Sequence, residues 1–67
     1  MLNPVLENRV RIACKRYYAI YDQVLREVRR STAEEAEEYV SMRLGLSLAD
    51  TIRFVHWARL PEDAREN

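Results

Sequence analysis

The stretch VRIACKRYYAIYDQVLREV, residues 10–28, decides how this chain folds. Within it Val10, Cys14, Tyr17, Tyr21, Val24 and Val28 recur at spacings 4-3-4-3-4. An α-helix places residues at such spacings on one stripe, whereas a strand would alternate at every second position. Leu6, Ala13 and Ile20 widen the stripe on one side. Upstream, Asn3-Pro4 supplies a start, since Asn can accept an orphan amide and Pro lacks the donor that would go unsatisfied at the first helical position. The spacing therefore predicts one long amphipathic helix 1 over about residues 4–30.

Working outward, Ser31 with Glu34, or Thr32 with Glu35, has the spacing of a reciprocal helix cap. Helix 2 is expected over about 32–44, carrying Ala36, Tyr39, Val40 and Leu44 and stopping at Gly45. Ser47 with Asp50 repeats the start signal, so helix 3 is expected over about 48–60, ended by Pro61. Residues 61–67 read as a frayed polar tail. The expected fold class is all-α, a single helical domain of three helices spanning residues 1–67. At 1.5 Å per residue helix 1 would be roughly 40 Å long and the others about 20 Å each. Helix 2 would then fold back over the C-terminal half of helix 1. Helix 3 is apolar nearly all round (Leu48, Ile52, Phe54, Val55, Trp57, Ala58, Leu60), which calls for burial on more than one side. A homodimer is the economical solution, with Val10, Cys14, Tyr17, Tyr21, Phe54 and Trp57 as expected interface residues. Trp57 leads that set because large aromatics dominate protein interfaces.

Composition limits the function classes. A 67-residue chain buries only about 60% of its unfolded surface, so it needs very good packing or a partner. Cys14 is the only cysteine, which rules out an internal disulfide, and no CxxC or His-x-x-x-His spacing suggests zinc. No metal ligand and no cofactor is expected. Tyr17 and Tyr21 read as core or interface, and the four glutamates at 34, 35, 37 and 38 as a first helical turn favoured by the helix dipole. His56 is the sole histidine and shares a face with Ile52 and Leu60, so no catalytic residue is assigned and an enzyme is not expected. The opening MLNPVLENRV has no apolar core of a secretory signal, and the apolar runs are only a few residues long. A cytoplasmic location without membrane contact is the expectation.

The formal net charge is zero, but the charges are segregated. Residues 1–30 hold seven Arg or Lys against three acids, and residues 31–44 hold four Glu against Arg43. On a continuous helix 1, Arg11, Lys15, Tyr18, Arg26 and Arg29 fall in one sector, with Asp22 among them. Such a row could track a phosphate backbone, with Tyr18 offering a stacking surface for single strands. Alternatively, the glutamates of helix 2 neutralise Arg26, Arg29 and Arg30 across the hairpin.

One further stretch, RLGLSLADTIR at residues 43–53, carries a resemblance. "LGLS" is similar to the turn of helix-turn-helix proteins. Gly45, Leu46, Ser47, Ala49, Asp50, Ile52 and Arg53 resemble the join between the two helices of ribbon-helix-helix repressors and antitoxins, and the likeness extends over about residues 32–61. It implies a small DNA-binding transcriptional regulator or antitoxin-like protein. Phosphates would be met by Arg11, Lys15, Arg26, Arg29, Arg30, Arg53 and the start of helix 3 at Ser47. That family reads DNA with a strand before its first helix. The equivalent here is VLREVRR, residues 24–30, where Val24, Leu25 and Val28 continue the helical stripe instead; a strand over part of it in a dimer stays open. The rival expectation is a non-catalytic helical module that binds a protein partner, or itself, through helix 3 and the helix 1 stripe.

Overall fold

A computed structural model describes residues 2–65. All regular structure among them is helical: α1 (Pro4–Arg16), α2 (Tyr21–Arg30), α3 (Ala33–Leu44), α4 (Leu48–Ala58) and the short α5 (Glu62–Arg65). The all-α expectation holds, but the long helix over 4–30 does not form. A rod of that length, roughly 40 Å, would exceed the longest dimension of the molecule, 29 Å. The chain instead reverses at residues 17–20. Tyr18 adopts a left-handed backbone, φ 55°. The Ala19 amide then donates back to the Cys14 carbonyl at 2.8 Å, and the Tyr18 amide to that of Lys15 at 3.4 Å. These two bonds close the end of α1 in the manner usually built on a left-handed glycine. Helix propensity is weak here, because Tyr17, Tyr18, Ile20 and Tyr21 all lose side-chain rotamer freedom against a preceding helical turn. Once the rod breaks, α2 is free to pack on α3 and α4, and α1 rests on α3.

The remaining boundaries follow local chemistry. Asn3 accepts from the Val5 and Leu6 amides at 2.8 and 3.4 Å. Of the two cap pairs considered for α3, Thr32 with Glu35 forms: each side chain bonds the other residue's amide, at 3.2 and 3.1 Å. The Thr32 amide, which donates to it, and secondarily the Thr32 hydroxyl hold the exposed Glu35 carboxyl below its ordinary pKa range. The Ser31 hydroxyl instead donates to the Glu27 carbonyl. Gly45 ends α3 at φ 64°, and Ser47 accepts from the Asp50 amide to start α4. Beyond Pro61 the expected frayed tail is replaced, up to residue 65, by α5. There Arg65 is buried, with its guanidinium 5.8 Å from the centre of the Trp57 ring. Residues 66 and 67 of that expected tail lie outside the described residues.

Phe54 sits at the centre of the core, fully buried, with the Tyr21 and Trp57 rings at 6.4 and 6.1 Å. Val10, Val24, Val28, Ala36, Val40, Leu44 and Ala58 close around it. α2 and α4 also exchange caps. Arg29 of α2 donates to the Ala58 carbonyl at 3.3 Å, while Arg59, just after α4, donates to the Val28 and Ser31 carbonyls. Both helices thus end with a cation on carbonyls that have no partner within their own helix.

Candidate nucleic-acid interface

From Asn8 to Tyr21 the chain carries Arg9, Arg11, Lys15 and Arg16 and not one acid. These cations lie on α1, whose inner face is fixed by the burial of Leu6, Val10, Ala13 and Cys14. At about 100° per residue, Val5 and Ile12 then point outward together, with Arg9 and Arg16 on one side and Arg11 and Lys15 on the other. Grooves flank this ridge. One, about 360 Å³, is lined by Arg11, Ile12, Cys14, Lys15 and Tyr21 among others. The second, about 270 Å³, runs past Arg9, Ile12, Arg16 and Tyr17 to Gly45, Ser47 and Asp50.

The four cations differ in what already holds them. Arg9 is bound to the buried Asp50 at 3.1 Å. Arg11 stacks over the Tyr21 ring at 4.3 Å and lies 3.7 Å from Glu7. Arg16 leans on the Tyr17 ring at 6.0 Å. Lys15 is exposed and, among the described residues, in no ion pair. Behind the larger groove, burial pushes both the Cys14 thiol and the Tyr21 hydroxyl above their ordinary pKa values, with Arg11 partly offsetting each shift.

The broken helix dismantles the expected sector. Arg11, Lys15 and Tyr18 stay with α1 and its closing turn, while Arg26, Arg29 and Arg30 leave with α2. Arg29 is engaged at the end of α4, and Arg30 pairs with Glu27 on its own helix at 3.0 Å. Among the described residues the glutamates at 34, 35, 37 and 38 form no ion pair with Arg26, Arg29 or Arg30. Arg26 and Arg53 are exposed. At the start of α4, Ser47 serves as the cap, and the Asp50 carboxylate already faces the positive end of that helix. A phosphate arriving there would meet a resident anion. Arg9, Arg16 and Arg59 were absent from the sequence-derived set. The run of cations around Lys15 was a usable signal for the first two, whereas nothing local marks Arg59 as a cap for α2.

The expected interface residues separate as well. Val10, Cys14 and Phe54 lie inside the core of a single chain, where they offer a partner no surface. Tyr21 and Trp57 are half-buried against that core, and Tyr17 is exposed. Large apolar side chains do face outward elsewhere. Leu48 and Ile52 lie one turn apart on α4, 72% and 45% exposed, and Met42 is 78% exposed. Among the described residues no helix is long and apolar enough to cross a membrane. No family model, curated protein or solved structure matches this chain.

Proposed function

We propose that this protein binds nucleic acid through the outer face of α1. The observation that carries this is the acid-free run from residue 8 to residue 21, whose cations bracket an outward ridge with Lys15 and Arg16 exposed. A net charge of zero is compatible with such a role when the cations are gathered on one element, because the local potential draws the polyanion. Lys15 and Arg16 would contact phosphates directly, with Arg11 and Arg53 further along the same molecule. The hairpin resemblance points in the same direction, toward a small regulator or antitoxin-like protein acting as a dimer in the cytoplasm.

Fluorescence anisotropy of a labelled oligonucleotide at several salt concentrations tests this. Affinity should fall steeply as salt rises, since each phosphate contact releases counterions. Lys15→Ala with Arg16→Ala should lower the slope of log affinity against log salt by about 2 while leaving the fold intact. An unchanged slope in that variant would remove α1 as the contact surface.

A second reading rests on the exposed row of α4. Leu48 and Ile52 continue into a groove of about 280 Å³ lined by Val55, His56, Arg59 and Leu60, with Ala33 and Glu37 opposite. A protein partner or a second copy docking there would bury that row. Leu48→Ser with Ile52→Ser should then abolish self-association in sedimentation velocity, without change in helix content. A chain that is monomeric at all concentrations would set the self-association form of this reading aside.

A further inference from the structure

We infer that Tyr18 is a stacking platform, and that the nucleic acid proposed above is single-stranded where it meets the protein. This rests on the reading of α1 as the contact surface and adds which form is bound and which residue selects it.

Tyr18 is the most exposed large hydrophobic side chain among the described residues, at 93%. Its ring makes no aromatic or cation contact and its hydroxyl no hydrogen bond among them, so the fold gains nothing from the side chain. Its backbone nevertheless occupies a left-handed position, φ 55°, where glycine or asparagine would sit with less strain. A strained position given to a bulky aromatic that packs on nothing points to a use outside the chain. The surroundings say what kind of use. Tyr18 lies two residues after Arg16 and three after Lys15, within the acid-free run and two residues before the exposed Ile20. Cations that hold a phosphate backbone next to an open aromatic face form the combination that binds unpaired bases. A base needs only a π-face to stack on, whereas in a duplex those faces are covered.

The test uses a labelled 15-nucleotide single strand and a duplex of the same length, each titrated with the wild-type protein, Tyr18→Gly and Tyr18→Phe. The wild type should prefer the single strand. Tyr18→Gly should weaken single-strand binding by roughly five- to 150-fold, the range expected for losing one stacked base. Duplex binding should stay within about twofold, and thermal unfolding followed by circular dichroism should show a chain at least as stable as the wild type. Tyr18→Phe keeps the ring and should keep the affinity. Unchanged single-strand affinity in Tyr18→Gly overturns the stacking role and leaves the phosphate contacts of α1 standing. Equal weakening on both substrates, or equal loss in Tyr18→Phe, also overturns it. If the wild type binds phosphatidylserine vesicles but no oligonucleotide at low salt, this inference and the nucleic-acid reading both fail, in favour of a lipid surface. Binding to neither ligand overturns both as well.

Discussion

Two helices of this chain end on a left-handed residue, and the two ends are built from opposite materials. α3 ends at Gly45, φ 64°, and the next helix starts two residues later on Ser47, whose side chain caps it. α1 is closed by Tyr18, φ 55°, and α2 starts after Ile20, which offers no side-chain cap. The first turn uses the residues that suit its geometry. The second imposes the same geometry on residues that resist it. The two also touch: a Cβ added at Gly45 would lie 3.2 Å from the Tyr17 hydroxyl oxygen. Backbone conformation at both sites is therefore dictated by packing, since the reversal after α1 lets α2 reach the core and the turn after α3 folds α4 back. Local preference agrees with that demand in one case only.

The comparison breaks most visibly at Gly45. Gly45→Ala forces a side chain into the left-handed region and against Tyr17, and should cost about 1–2 kcal/mol in urea unfolding. Part of that cost should disappear in a Tyr17→Ala background, because the ring that meets the new methyl is gone. Full additivity of the two changes would show that the turns are energetically separate. Next in size is Ser47→Ala, which leaves the Asp50 amide without its acceptor and should cost about 1 kcal/mol.

The same contrast explains how much could be read from the sequence. Gly45, Ser47, Thr32, Asn3 and Pro4 are residues whose chemistry announces a boundary, and the structure puts helix ends there. Of the stripe, Val10, Cys14, Val24 and Val28 are buried, as are Leu6 and Ala13 beside it, whereas Tyr17 and Ile20 at the reversal are exposed and Tyr21 is half-buried. Periodicity reports which side chains face the core, however, and it stayed in phase across the reversal, so it could not show that the helix was broken. Only a left-handed residue marks such a reversal, and Tyr18 gives no sign of being one. The charged surface was legible as a count of cations. Which of them are already engaged was not, because Arg9 finds Asp50 across 41 positions and Arg29 caps a helix 29 positions away. Contacts of that range belong to the packing.

Tyr18→Gly reverses the sign seen at Gly45. With no packing to lose at a 93% exposed side chain, relief of the left-handed strain should outweigh the extra chain entropy of glycine. The expected gain is roughly 1 kcal/mol, read as a higher urea midpoint with unchanged slope. Glycine inside an uninterrupted helix would instead cost about 1 kcal/mol. The direction of this one change thus decides whether residues 17–20 form a turn in solution.

The smallest effect lies at the start of α2. Ile20 has the extended backbone of an N-cap, φ −91° and ψ 122°, but its side chain cannot accept a hydrogen bond. It is also 59% exposed, so little packing is lost on replacement. Ile20→Ser should supply an acceptor for the free amides of the first turn and raise stability by about 0.5 kcal/mol, the low end of what such caps contribute. Combined with Tyr18→Gly it would give the turn after α1 the same materials as the turn after α3. Because the two changes act on different groups, one on backbone strain and one on orphan amides, their effects should add in the double variant. A clear shortfall from additivity would mean that the left-handed residue and the start of α2 adjust together, and that the turn is one unit rather than a helix end followed by a helix start.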